Sequence, residues 1–176
     1  MRPLDDVREI KVMAYNLAKG FVDEKFPRFP PADLTRSRLD QMAEVIRRED
    51  PDLVFLSEVV WQTPYNSVNQ VRYLAEACGY RHYAFGENAH LGIPFLRYVG
   101  GNAILSKWPL SNGANPNLSG HRPFWITRNS RRALMVDAAI GRHPVRCAAL
   151  HLDSFNLENN LAQARQILGW LGPDPA

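Results

Sequence analysis

Cysteine is scarce, lysine is rare beside arginine, and no long apolar run occurs. Each shortage narrows what the chain can be. The two cysteines, Cys78 and Cys147, have no metal-ligand spacing, which excludes a thiolate zinc module and a disulfide scaffold. They lie in apolar helical and strand patterns and are expected as buried free thiols in a reducing compartment. No apolar stretch approaches the ~20 residues that a membrane-spanning helix needs. The opening MRPLDDVREIKV lacks the apolar core of a signal peptide, so a cytoplasmic location is the default expectation. Repeats and low-complexity tracts are also absent. Arginine outnumbers lysine 17 to 4. Genome composition is the plain explanation, and phosphate recognition through the planar guanidinium is the sharper one. A net charge of +3, spread along the chain, gives no support for a nucleic-acid partner.

What is present is an α/β pattern in 176 residues, enough for a single domain with a sizeable core. A first strand is expected over Ile10–Asn16. A loop with Phe26, Pro27, Phe29, Pro30 and Pro31 follows, where proline forbids regular structure. The first helix is expected from about Leu34 to Glu49, with Leu39, Met42, Ala43 and Ile46 on one face and Pro51 as its stop. Leu53–Ser57 reads as a strand covered on both faces. A second helix starts near Ser67 as N-cap and ends at Gly79, with Val68, Val71, Leu74, Ala75 and Cys78 as its apolar stripe. Strands are expected at His82–Phe85 and Ala103–Ser106, with a Gly/Pro loop between them. Leu134–Ile140 alternates as a strand should, Gly141–Pro144 turns the chain, and Val145–Leu150 returns it. The last helix covers Leu157–Leu171, with Leu157, Leu161, Ala164, Leu168 and Leu171 along one side.

Three polar residues stand directly after hydrophobic runs, at the strand ends where an α/β protein keeps its site. They are Asn16 after KVMAY, Glu58 after DLVFLS and His151 after VRCAAL. Singly, each has an ordinary explanation: a turn asparagine, a solvated glutamate, a satisfied histidine. Together they sit within four stretches that resemble the endonuclease/exonuclease/phosphatase superfamily, the group with the DNase I fold. The stretches are KVMAYNL, PDLVFLSEV, GGNAILSKWPL, and RRALMVDAAI followed by VRCAALHLD and a helix with LAQARQIL. They occur in the family's order and span nearly the whole chain.

The resemblance implies a fold, a chemistry and a set of roles. The fold is a four-layer α-β-β-α sandwich of two mixed sheets, here lacking its C-terminal strands. The chemistry is hydrolysis of a phosphate ester, by a phosphodiesterase or phosphomonoesterase, with Mg²⁺ as cofactor and Mn²⁺ as its substitute. A hard cation on the phosphoryl oxygens offsets the charge that repels a nucleophile, and Mg²⁺ is commonly held by one or two carboxylates plus substrate and water. Glu58 is then the metal carboxylate and Asn16 its orienting neighbour. His151 donates to a phosphoryl oxygen as charge develops. Arg132 matches a strand arginine that points at the phosphate, the alternative being an exposed arginine beside Arg131. Asn102 is a further substrate-binding candidate, the alternative being a residue that shapes the backbone after Gly100 and Gly101.

The departures matter equally. The family continues into a Gly-Asp-Phe-Asn type strand and a Ser-Asp-His type end, which supply the water-activating Asp and a second His. No Gly-Asp or Asp-His pair occurs here, so an incomplete catalytic domain is expected. AP endonucleases carry Gln before the metal Glu, Lys shortly after it, and Tyr where this chain has His151; here Ser57 precedes Glu58, and Val59, Val60 and Trp61 follow. DNase-type members place Arg where this chain has Val60. The nuclease branches therefore fit less well than the lipid, sugar-phosphate and general phosphodiesterase branches. Leu91–Tyr98 and the Pro/Phe loop either rim a substrate groove or pack as ordinary loops. Two other readings stay open: a non-catalytic binding module of the same fold, and an α/β scaffold with an unrelated function.

Overall fold

The computed structural model describes residues 9–20, 30–93, 96–122, 130–141 and 143–172. The strands, in chain order, are β1 (Val12–Asn16), β2 (Leu53–Gln62), β3 (His82–Ile93), β4 (Leu96–Ser106), β5 (Leu110–Ala114), β6 (Leu134–Ile140) and β7 (His143–Ala149). The helices are α1 (Ala32–Glu49), α2 (Gln70–Cys78) and α3 (Leu157–Leu171). Two sheets result, ordered β1-β2-β4-β3 and β5-β6-β7. The first is mixed, with β1 parallel to β2 and the other pairs antiparallel. The second is wholly antiparallel, where a mixed sheet was expected, because its described strands are joined as a meander without a helical crossover.

Three apolar clusters fix the packing. Leu39, Ala43 and Ile46 of α1 and Val71, Leu74 and Ala75 of α2 meet Val54, Leu56, Ala103 and Leu105 on one face of the first sheet. Leu53 and Ile104 on its other face meet Leu134, Val136 and Ala138 of the second sheet. Met135 and Ala133 on the outer side of that sheet meet Ile167 and Trp170 of α3. Burying one such aliphatic side chain contributes about 1.5–3 kcal/mol, so these clusters are the main source of stability.

Several boundaries differ from the sequence reading. Helix α1 starts at Ala32 with Pro31 as N-cap, since a proline's missing N–H costs nothing at a helix start. Asn69, not Ser67, caps α2, its side chain accepting from Arg72 N at 2.9 Å, while Gly79 ends it in left-handed geometry as expected. Strands β3 and β4 run on as a long hairpin through most of Leu91–Tyr98, so that stretch is not a loop, though Pro94 and Phe95 lie outside the described residues. Most of the Pro/Phe loop, with Phe26, Pro27 and Phe29, also lies outside them. Strand β5 had no sequence expectation. Cys147 is buried as expected, but Cys78 is only partly so; neither is in a disulfide.

Helix α3 has the expected bounds but turns the other way. Leu157 is 73% exposed and Leu168 69%, and Leu161 and Leu171 are also exposed. The buried residues are Gln163 and Ile167. Gln163 Oε1 accepts from Asp153 N at 2.9 Å, and its Nε2 donates to Ser119 O at 2.9 Å. The Asp153 N–H needs a partner where water is excluded, and this sets the helix's rotation over its leucines.

The first sheet bends at Gly100–Gly101. Between Leu56↔Ala103 and Val59↔Gly101, two residues of β2, Ser57 and Glu58, oppose the single residue Asn102. On the other side a second shift falls at Asn88, between Glu87↔Gly101 and Ala89↔Gly100. A third shift falls between Val60↔Gly100 and Gln62↔Val99, so ladder irregularities surround the glycine pair. A Cβ on Gly101 would overlap the carbonyl oxygen of Gly86. Gly101→Ala is therefore expected to cost about 2 kcal/mol or more, lowering the melting temperature by roughly 4–8 °C. Gly113→Ala, where a new Cβ meets nothing within 4 Å, should melt close to wild type in the same circular-dichroism series.

Candidate active site

The β2 bulge places the acidic group. Glu58 is not the first residue past the strand, as its sequence suggested, but the second residue of the bulge, at φ 54°. Left-handed backbone costs a non-glycine residue about 1–2 kcal/mol. The bulge re-aims the carboxylate away from the sheet's alternation, toward the end of β1.

Asn16, the last residue of β1, meets it there. Asn16 Nδ2 donates to Glu58 Oε1 at 3.3 Å, and Asn16 Oδ1 accepts from Ala18 N at 2.8 Å. One amide therefore steadies both the carboxylate and the turn that follows. That turn, Ala18–Gly20, has positive φ at all three residues: 45°, 60° and 75°. It brings Lys19 Nζ to 2.5 Å from Glu58 Oε2, with the two side chains 31% and 25% exposed.

His151 closes the group from the end of β7. Its Nδ1 is 3.6 Å from Glu58 Oε1, beyond hydrogen-bond range, and is buried with no hydrogen-bond partner. An orphaned ring nitrogen beside a carboxylate can donate to or accept from a ligand atom. Burial of Glu58 favours its neutral form, but Lys19, then Asn16, then His151 outweigh it and hold the carboxyl below the usual carboxylate range. Burial pushes the His151 imidazole down; Arg131 and Lys19 push the same way against Glu58. The ring is therefore neutral near pH 7 and has one N–H to donate.

Of the five sequence candidates, Asn16, Glu58 and His151 are brought together. Arg132 is held elsewhere: its Nε donates to Asn117 Oδ1 at 2.8 Å. Its neighbour Arg131 lies close enough to perturb His151 and Asp153, and its buried Nε has no hydrogen-bond partner. Asn102 lies across the ladder from the bulge, fully buried, and its Nδ2 donates to Arg132 O at 3.4 Å and Ala149 O at 3.3 Å. It stitches the two sheets together beneath the site, while its Oδ1 is buried without a partner.

Sequence reasoning missed Lys19, Gln70 and Arg131. Gln70, 3% exposed, donates from Nε2 to Lys19 O and accepts at Oε1 from Val60 N, both at 2.9 Å. It clamps the lysine turn to the strand just past the bulge. A polar residue in the first turn of α2 gives no sequence signal for that role. Arg131 was legible only as half of the pair Arg131–Arg132.

A pH dependence follows from the two depressed histidines. Burial lowers His121 as well as His151. Both bind a proton more weakly when folded than when unfolded, where the value is about 6.5. Their neutral forms therefore favour folding above about pH 6.5, and stability falls as the pH drops through that value toward the folded ones. Melting temperature is expected to decline between pH 7.5 and 5.5, and the slope should flatten in a His121→Gln/His151→Gln double variant.

Comparisons with known proteins bear on the fold and the family. No curated protein matches the chain. Among solved structures, an endonuclease/exonuclease/phosphatase from Beutenbergia cavernae is similar at 25% identity and TM-score 0.68, over 91% of this chain and 43% of its own. A family protein from Leptotrichia buccalis is similar at 16% identity and TM-score 0.66, over 94% of this chain and 64% of its own. A mannosyl-6-phosphatase from Bacteroides thetaiotaomicron is similar at 14% identity and TM-score 0.59, over 93% of this chain and 59% of its own. The chain thus spans about half the length of the structures it matches, and the two sheets and three helices of its described residues match their DNase I-like fold. The model of the endonuclease/exonuclease/phosphatase family matches residues 13–172, and the chain belongs to that family.

Proposed function

We propose that this chain carries the acidic and phosphate-facing half of a metal-dependent phosphoric ester hydrolase. The observation that supports it most is the bulged Glu58, whose strained backbone holds a carboxylate against a cation and beside an unpartnered histidine nitrogen. Strained backbone persists where surrounding structure over-determines it, and it clusters at functional sites.

The donor set fits Mg²⁺, or Mn²⁺ in its place. Among the described residues no three His, Cys, Asp or Glu side chains gather around one point, so no all-protein cage exists there. Mg²⁺ does not need one; a carboxylate, water and the substrate's own oxygens suffice. Glu58 would hold it. A cation bound there would act as a Lewis acid on the phosphoryl group and offset its negative charge. Asn16 keeps the Glu58 carboxylate in orientation through its 3.3 Å hydrogen bond. His151, neutral, donates its one N–H to a phosphoryl oxygen as charge accumulates on it. Arg131, with its free Nε, takes the role expected of Arg132, supplying fixed positive charge toward the phosphate. Asn102 acts from beneath, holding the two sheets in register.

The substrate class is a phosphate ester. A second reading, a binding module without turnover, is favoured by the lack of any cluster of three His, Cys, Asp or Glu side chains among the described residues. One assay separates them: hydrolysis of bis-p-nitrophenyl phosphate and p-nitrophenyl phosphate by the complete protein, with Mg²⁺ and with EDTA. The hydrolase reading expects metal-dependent turnover that falls about 10²–10³-fold in kcat in His151→Ala. It also expects turnover to vanish in Glu58→Gln together with metal binding. Phosphate binding with no turnover in Mg²⁺ would favour the module.

A further inference from the structure

The cation that Glu58 holds in this structure belongs to the chain itself. Lys19 Nζ lies 2.5 Å from Glu58 Oε2, and the roles assigned above make no use of it. Its support is more than a surface ion pair requires, since such pairs form between flexible side chains and contribute little. Three successive residues take positive φ to present it. Its carbonyl is held by the buried Gln70 amide at 2.9 Å, and the next carbonyl, of Gly20, accepts from Arg38 Nη1 at 2.7 Å. Leu17 N donates to Ser57 O at 3.0 Å, and Gly20 N to Leu17 O at 2.8 Å, which ties the turn to the bulge strand. The backbone of Lys19 is therefore fixed from both sides, and only its side chain is free to swing.

A second cation stands nearby. The Lys19 ammonium is paired with Glu58, while the Arg131 guanidinium lies near Asp153 and Glu58 and its buried Nε has no acceptor. An anion oxygen would satisfy that Nε.

We infer that Lys19 is a phosphoryl-binding residue held in reserve on Glu58: with the carboxylate committed to a divalent cation, the Lys19 ammonium would be released to turn to a non-bridging oxygen of the substrate's phosphate. This rests on the phosphoesterase reading above. An ammonium is a compact point charge on a flexible stem, suited to exchanging one oxygen partner for another from a fixed backbone anchor. While paired, it also taxes metal binding, because only the unpaired fraction of Glu58 is competent to bind.

Mn²⁺ binding by the complete protein, read by electron paramagnetic resonance at fixed pH and salt, tests the exchange. Binding of inorganic phosphate at saturating Mn²⁺, read by calorimetry, tests the second role. Lys19→Met is expected to bind Mn²⁺ about tenfold tighter than wild type, the gain for a pair formed ~90% of the time. The same variant is expected to bind phosphate several-fold more weakly. Lys19→Gln should repeat both changes, which guards against a folding defect peculiar to one variant. Mn²⁺ affinity that does not rise in either variant, or phosphate affinity that does not fall, overturns the inference. Glu58→Gln separates the two levels. If it abolishes Mn²⁺ binding while Lys19→Met fails to tighten it, the lysine inference alone is wrong. If Glu58→Gln binds Mn²⁺ like wild type, the metal reading fails and the lysine inference falls with it.

Discussion

The arrangement depends on a mismatch of one residue. Ser57 and Glu58 together oppose Asn102, and the ladder absorbs the extra residue by turning Glu58 into left-handed backbone. Without that bulge, strict alternation along β2 would send the Glu58 side chain toward one of the two packed faces of the sheet. A carboxylate there would face the aliphatic clusters, where an unpaired charge is costly. The bulge instead delivers it to the strand end, where Asn16 and Lys19 receive it. The neighbouring features accommodate the same mismatch. Gly101 lets β3 come close, Gly100 leaves room for the Tyr98 ring, and Asn102 stitches the displaced strand to Arg132 and Ala149 across the sheets.

A second dependence runs through Gln70. It joins Val60, two residues past the bulge, to the carbonyl of Lys19, so the strained strand and the strained turn share one buried amide. A buried amide with both ends satisfied contributes rigidity as well as energy, because a shift of either partner leaves a polar group unpaired. The carboxylate and its counter-ion are thus set by covalently distant pieces of chain that cannot drift independently.

Much of this was legible in the sequence. The hydrophobic periods of α1 and α2 matched their buried faces, and β6 and α3 fell on their expected residues. Asn16, Glu58 and His151 could be picked out because each follows an apolar run, and they do converge. What could not be read was anything that depends on register. The bulge has no signature, since Ser-Glu within an apolar strand reads as that strand's end. The choice of Arg131 over Arg132 turns on a single step of alternation. The outward leucines of α3 misled because apolar periodicity assigns a face by hydrophobicity, whereas Gln163 holds the inner face through two backbone hydrogen bonds. Lys19 escaped notice because its position depends on three consecutive positive φ angles, of which only Gly20 announces one.

Those same angles set heat tolerance against chemistry. Ala18, Lys19 and Glu58 all occupy backbone that glycine or asparagine would adopt more readily. A lineage or a laboratory selection rewarded only for surviving heat would be drawn to those replacements, because relief of local strain is among the readiest routes to greater stability. At Lys19 and Glu58 that route removes the two charges around which the site is assembled. Retention of lysine and glutamate at such unfavourable backbone positions would therefore serve, in any set of relatives, as a record of which copies still have work for the site to do.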